Sequence, residues 1–501
     1  MRRNCFLTGL SFIICHLSLS GAYAQSFTQY TTTDGMAWKQ SSISLKVKGD
    51  TPMLTITGAE RGHEFKAWGT CFNELDLDAL LLLTDDAQQE VVQRVFAPDG
   101  DLHFTRGRLT MNANDYSRAW YSCDTVSGDF ALKYFNIEHD KLNVIRLIKM
   151  AQQWQPAITF WVSPWSPPAW MKINQDYPVV SSQWNTLPKE KDYLLFDDSG
   201  TPDPNEMQFL GENRGKFPRK LASQNYMIQD PRYLQAYANM FCKFIDLYKE
   251  EGIPIDMVMY QNEAYSYTPY PGCAWTADGT IKFNKDYLAP TLRKLHPEVS
   301  LYIGTFNTNR TDYVEKIMDG VKDDVKGAGF QWEGRENLDA VRQRYPDLHL
   351  ISSESECGNG SMDWSAGEHT FHLLCDYIGC GCDEYFIWNF ILCDNGQSPW
   401  GWKQNALIQV DSKTHTHRYT AEYYAVKHFA HFVTPGSRMV GYQPWTKETG
   451  TQAIVFHRPD GKRIVIIGNT NDKTKTVSVK LGRKYLTATL YAHSFNTFVE
   501  K

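Results

Sequence analysis

Beyond residue 25 the chain has no apolar run long enough to cross a bilayer, so no transmembrane segment is expected. It has no basic block either. Fifty-one Lys and Arg against 57 Asp and Glu leave a net charge of −6, which speaks against a nucleic-acid partner. No Gly-x-Gly-x-x-Gly follows any expected strand, so a dinucleotide-binding open sheet lacks its fingerprint. His-Glu-x-x-His is missing, and Cys380-x-Cys382 and His415-x-His417 do not have the usual spacing of zinc ligands, so neither a metal nor another cofactor is expected. Wholesale disorder is excluded by 42% apolar and 22% charged residues.

The chain is rich in flat side chains: aromatics make up 14%, with 15 Trp. Its 501 residues suit a domain of roughly 250–350 residues plus a satellite. Arg2 and Arg3, the apolar stretch Cys5 to Leu19 and Ala22-Tyr23-Ala24 follow the order of a secretory signal peptide, residues 1–24. Export to the periplasm, cell surface or medium is therefore expected, with a net charge of −8 once both Arg are removed. A short buried N-terminal helix is the bland alternative. A lipid anchor at Cys15 lacks the small residues that normally precede one. Nine cysteines remain, five of them between Cys357 and Cys393. An exported protein could carry one or two disulfides, whose connectivity the sequence does not give, but buried thiols are the simpler reading.

Both ends of the mature chain read as strands. Ser42–Lys48 alternates with period two, Met53–Thr57 repeats the pattern, and 453–456 and 463–467 flank the turn Pro459-Asp460-Gly461. Strands at 476–479 and 487–491 follow, so residues 25–62 and 433–501 are expected to pair in one antiparallel β-sandwich side domain. Between them, over 63–432, the texture alternates apolar strands with helices such as 79–95 and 233–248. Eight strands are expected, at 65–68, 102–105, 157–162, 256–260, 301–304, 328–332, 348–351 and 385–388. Eight β-then-α units describe a closed parallel (β/α)8 barrel, a TIM barrel, within an α/β fold class. An open doubly wound sheet is the alternative.

Chemistry in such barrels collects where strands finish. Those positions hold Glu74 after strand one, Arg108 and Asp115 after two, Trp165 after three and Asn262 and Glu263 after four. Gln331 and Trp332 follow strand six, Glu354 strand seven, and Trp388 and Asn389 strand eight. Ser-His and Cys-His pairs are missing from these ends, whereas two carboxyls between aromatic walls are what glycoside hydrolysis needs. At roughly 31 residues per unit, Glu263 and Glu354 lie three units apart, on strands four and seven, facing one another across the barrel. A single strand-end acid more often caps a helix or pairs with Arg; two at matching ends of facing strands argue for convergence on one bond.

Several segments resemble one known family. Val258–Glu263 is similar to the acid/base strand of clan A glycosidases, and Ser163-Pro164-Trp165-Ser166-Pro167-Pro168-Ala169-Trp170-Met171-Lys172 resembles a motif of glycoside hydrolase family 30. Asn114–Ser117, Tyr385–Asn389 and His431–Ser437 resemble further segments of that family, so the likeness spans about residues 65–440. It implies a retaining mechanism with Glu263 as acid/base and Glu354 as nucleophile. Asp115, Trp165, Asn262 and Trp388 would hold the sugar, and Arg108 would keep Glu354 ionised. Two departures stand out: Asn-Glu-Ala replaces the common Asn-Glu-Pro, and Ser353-Glu354-Ser355-Glu356 offers two acids. Glu354 is chosen because it directly follows the apolar strand; Glu356 is the alternative.

Substrates within that family include glucosylceramide, β-1,6-glucan, β-xylosides, fucosides and glucuronoxylan. Tyr265, Tyr267, Tyr270 and Trp275 follow the acid/base and offer surfaces for a leaving-group sugar, and Pro271–Thr276 resembles the β-1,6-glucanase branch. The reading favoured is an endo-β-1,6-glucanase acting on β-glucan as a monomer, with glucosylceramide hydrolysis next. A carbohydrate-binding protein without catalysis would need Trp165 and Trp388 but not both Glu.

Overall fold

A computed structural model of the chain describes residues 26–50, 52–189, 225–444 and 450–501. The expected signal peptide lies outside these. Eight parallel strands close into a barrel: Ala67–Cys71, Arg106–Met111, Thr159–Pro164, Ile255–Val258, Ser300–Phe306, Gly327–Gln331, His349–Glu354 and Cys382–Ile387. The last pairs with the first, Glu384 opposite Ala67 and Ile387 opposite Thr70, which completes the closure.

The second strand departs from the expectation. Leu102 and Phe104 are buried in alternation and mimic a strand, but His103 between them has φ +53°, which breaks extended backbone. The strand proper is Arg106-Gly107-Arg108-Leu109-Thr110-Met111, and Arg108 lies within it rather than after it. Its two arginines face inward. Arg106 pairs with Asp256 of the fourth strand and Glu384 of the eighth. Arg108 pairs with Glu354 of the seventh. An apolar plug of Trp161, Met257, Met259, Tyr302, Ile351 and Phe386 also fills the barrel. Gly107 admits no side chain, because a Cβ would stand 2.4 Å from the Phe160 ring.

The helix expected over 79–95 is two, Glu74–Leu81 and Asp85–Phe96. Thr84 starts the second by accepting a hydrogen bond from Ala87 N, so the Thr-Asp-Asp signal overrides the continuous apolar pattern. The helix expected at 233–248 spans Pro231–Glu250. After the eighth strand the chain adds a small sheet, Ile391–Cys393, Ile408–Val410 and His417–Tyr419, for which the sequence held no clear signal.

Both chain ends form the side domain. Its nine strands run in the order Lys484–Leu490, Lys475–Leu481, Leu54–Arg61, Arg438–Pro444, Thr451–His457, Arg463–Asn469, Ser494–Glu500, Ser26–Thr33 and Met36–Ser44. The sheet folds over on itself: Lys46 and Tyr485 exchange two backbone hydrogen bonds of 2.9 Å, joining its two ends around a core that includes Phe27, Leu54, Val465 and Phe498. One pair, Val479 opposite Leu54, is parallel; the rest are antiparallel. The domain packs on the barrel helices through Phe495, which stacks on Trp364 and Phe371, and through buried His428, whose ring bridges the hydroxyls of Thr32 and Thr497. Among the described residues the nine cysteines are unpaired thiols, six of them buried.

Candidate active site

The C-terminal mouth of the barrel is organised around one buried cation. Arg108 donates to Glu354 Oε2 at 2.7 Å, to Ser353 O at 3.1 Å and to Asn262 Oδ1 at 2.7 Å, and both Nε and Nη2 reach Ser163 Oγ. Its guanidinium lies 4.4 Å from the ring centre of Trp165, 4.8 Å from Trp161 and 5.5 Å from Trp388. Such rings attract a cation with their π-faces while keeping water away. A charge with four hydrogen-bond partners and aromatic walls tolerates full burial.

The two acids differ in their surroundings. Glu354 ends the seventh strand and accepts from Arg108 on one oxygen and from Trp332 Nε1, at 3.1 Å, on the other. Glu263 accepts from the amide of Gln331 at 3.1 Å, and the hydroxyl of Tyr270 reaches its other oxygen at 3.4 Å. Gln331 also donates to Asn262 Oδ1 and accepts from Ser353 Oγ, so one amide ties the fourth strand's end to the seventh's. Glu263 sits at φ +46° and Trp332 at φ +49°, left-handed backbone that costs of order 1–3 kcal/mol for a residue with a side chain. Thr305 Oγ1 accepts from Glu263 N at 3.2 Å, and Asn262 N donates to Pro164 O at 2.8 Å, which holds the turn.

Electrostatics follow from those surroundings. Burial, and then the charge of Glu354, push the Glu263 carboxyl up to about 7, against the opposing hydrogen bond from Gln331. Burial also raises Glu354, while Arg108 and then Trp332 pull it down. Arg108 therefore favours the carboxylate as the sequence suggested, but burial outweighs it and the net direction is upward. Asp115 is pushed well above the carboxylate range by burial and by Glu354's charge, and its Oδ1 is buried without a hydrogen-bond partner. One acid with a cation, a second with neutral donors and a third short of partners make a cluster in which protonated and ionised carboxyls coexist at one pH.

Of the residues expected from sequence, Arg108, Glu263, Glu354, Asn262, Gln331 and Trp332 share this hydrogen-bonded network, and Trp165 and Trp388 stack beside it with ring centres 5.0 Å apart. Asn389 stands one row behind, between Asn73 and Gln404. Glu74 is not in the network: its carboxylate faces His139 and accepts from Arg118 N at 2.6 Å. Glu356 turns toward His369, 2.8 Å away, on the next helix. Tyr265 and Tyr267 are buried, Tyr265 against Phe306 and Tyr313, and Trp275 is buried with its Nε1 on Gln261. Tyr270 is the member of that group whose side chain meets Glu263.

Sequence reasoning missed Ser163, Thr305, Ser353 and Trp402. The first three are small hydroxyls at strand ends, too common to single out. Trp402 lies in a loop far from any motif, and its ring meets that of Tyr270 edge-on, centres 5.9 Å apart.

The model of the glycosyl hydrolase family 30 TIM-barrel domain matches residues 65–183 and 221–433, and that of the glycosyl hydrolase family 30 beta sandwich domain matches 436–498. Putative glucosylceramidase 1 of Caenorhabditis elegans is 22% identical over 447 residues, covering 84% of this chain and 77% of its own. Endo-1,6-beta-D-glucanase neg1 of Aspergillus fumigatus is 22% identical over 499 residues, covering 92% of each. The solved structure of the endo-beta1,6-glucanase BT3312 superposes with a TM-score of 0.74 at 21% identity, over 95% of this chain and 98% of that one. At that identity the likeness is one of fold.

Proposed function

The chain belongs to glycosyl hydrolase family 30, and on that premise we propose that it cleaves β-glucosidic bonds with retention of configuration, Glu354 acting as nucleophile and Glu263 as acid and then base. The observation that carries the assignment is the contrast between the two carboxyls. Arg108 and Trp332 hydrogen-bond both oxygens of Glu354, which suits the ionised form, whereas Glu263 is raised to about 7 and keeps its proton. In the first step a Glu354 oxygen bonds to the anomeric carbon as the bond to the leaving oxygen breaks, and Glu263 gives that oxygen its proton. A glycosyl ester remains, and Glu354 is no longer charged. The charge that raised Glu263 is gone, so its carboxylate takes a proton from water as the water oxygen attacks the anomeric carbon and frees Glu354. Asp115, with an unpartnered oxygen, and the stacked pair Trp165 and Trp388 serve as the sugar-binding floor.

The substrate reading is β-1,6-glucan, supported by the likeness to the fungal 1,6-glucanase along nearly the full chain and by the Pro271–Thr276 segment. Glucosylceramide is the second reading, favoured by the likeness to the nematode protein. Export by the N-terminal leader, which would bring the enzyme to an extracellular polysaccharide, is part of the proposal. The test is parallel incubation with β-1,6-glucan, glucosylceramide, xylan and aryl β-glucosides. Glucose or gluco-oligosaccharides should appear fastest from β-1,6-glucan; faster release from glucosylceramide reverses the order of the two readings. An NMR time course should show the β-anomer first.

A further inference from the structure

Two loops from opposite sides of the barrel meet above the acids. The loop after the fourth strand carries Tyr270, whose hydroxyl lies 3.4 Å from Glu263 Oε2, while Oε1 of the same carboxyl is held by Gln331. The loop after the eighth strand carries Trp402. The two rings touch at 71°, and both side chains are only partly buried, unlike Tyr265, Tyr267 and Trp275.

Each ring is held on a braced loop. The Trp402 loop is a tight hairpin: Gln397 bridges to Lys403, Ser398 N donates to Trp402 O at 2.7 Å, and Gln404 N donates to Gly396 O. Gly396 and Gly401 turn it with φ of +64° and +81°. Gly396 O also accepts from Tyr116 at 2.7 Å, and the Tyr116 ring packs edge-on against Trp388, so the hairpin is anchored to the sugar-binding floor. On the other side, the buried ammonium of Lys172 donates to Gly272 O and Tyr177 O, both at 2.6 Å, and Thr268 Oγ1 donates to Tyr270 O. This fixes the loop that presents Tyr270.

Glu263 passes its proton to the leaving oxygen, so whatever is attached to that oxygen sits beside Tyr270. We propose that Tyr270 and Trp402 form the face against which the leaving-group sugar packs, making Trp402 a residue that selects a saccharide leaving group. The inference rests on the assignment of Glu263 as the acid. Two rigid aromatic surfaces set at an angle suit the C–H face of a pyranose ring, and their pre-set orientation spares the ordering cost of binding. A flexible acyl chain gains little from that shape.

The test uses the full-length chain and two substrates sharing one glycone: a β-1,6-linked glucose disaccharide, which has a leaving-group sugar, and β-glucosyl fluoride, which has none. For Trp402→Ala, kcat/KM on the disaccharide should fall at least about tenfold further than on the fluoride, chiefly through KM, and Trp402→Phe should recover most of that difference. Equal losses on both substrates, or none on either, overturn the proposal, because Trp402 would then serve the glycone, the hairpin alone or nothing. Glu263→Ala assayed with azide should keep turnover of the fluoride and lose that of the disaccharide; equal losses on both overturn Glu263 as the acid whatever Trp402 does, so the two failures are told apart. Should Trp402→Ala not fold, Trp402→Leu, which fills the space without a flat face, decides on the same pair, with the same differential expected and its absence overturning the proposal.

Discussion

Glu263 and Glu354 are the same amino acid, and their neighbours set them apart. Replacing Glu354 by Gln leaves no carboxylate to form the ester, so turnover should be nearly abolished while the fold persists. Glu356→Gln, altering a side chain that faces His369, should be mild; labelling of Glu356 by a mechanism-based fluoroglycoside would overturn this assignment. Activity should rise with pH as Glu354, whose carboxyl burial holds up, ionises, and fall as Glu263 loses its proton at about 7. A pH–kcat/KM profile checks both limbs. Glu263→Ala should cost roughly 10²–10⁴-fold on an unactivated glucoside and much less on an activated aryl glucoside, with azide restoring turnover. Equal losses on the two, without rescue, would move the acid/base role elsewhere. At this scale the sequence was informative wherever a residue's type is rare at a strand end, as with the acids and tryptophans. Glu74, Tyr265, Tyr267 and Trp275 turn away from the acids while Tyr270 meets Glu263, because whether a side chain faces the mouth or the core depends on loop paths that carry no period.

Among the elements, the second barrel strand was the hardest to see. Arg-Gly-Arg resembles a surface segment, yet both guanidiniums point into the barrel, where carboxyls from facing strands meet them. The other seven strands were legible through short apolar runs such as Phe160-Trp161-Val162 and Tyr385-Phe386-Ile387, as burial on both faces demands. Helix Ala421–Ala430 carries a further titratable group. Glu422 is buried against Thr370 of helix Trp364–Gly379, and burial pushes its carboxyl up to about 8. A carboxyl raised in the folded state contributes stability in full below its unfolded pKa and loses it as pH rises through the folded value. Glu422→Gln, which keeps a hydrogen-bonding amide and cannot ionise, should match wild type in thermal midpoint at pH 4.5 and exceed it by a few degrees at pH 8. Equal midpoints at both pH values would show that Glu422 does not couple to folding.

At the scale of the molecule, the chain leaves the side sheet at Arg61 and returns at Arg438, so the barrel is an insertion into the side domain. That arrangement was readable from β-rich texture at both ends; the folding-over of the sheet and its one parallel pair were not, since pairing partners so far apart leave no local mark. Removing residues 438–501 takes away one of the two partners of Ser26–Thr33 and both partners of Leu54–Arg61, and uncovers the Phe371 and Trp364 rings. The truncated chain should be recovered in inclusion bodies without activity; soluble, active protein would show the barrel to be self-sufficient.

The pairing of Thr31 with Asn496 joins residues 465 positions apart. At 5–20 residues per second, a ribosome needs roughly 25–90 s to travel from one to the other. Throughout that interval Ser26–Thr33 has Met36–Ser44 but not Ser494–Glu500 to pair with, while the barrel is still being made. The side domain is thus a clasp that shuts behind its cargo. Its earliest strands have to be kept from other edges until the far end arrives, a burden that falls on whatever escorts the chain during synthesis rather than on the finished enzyme.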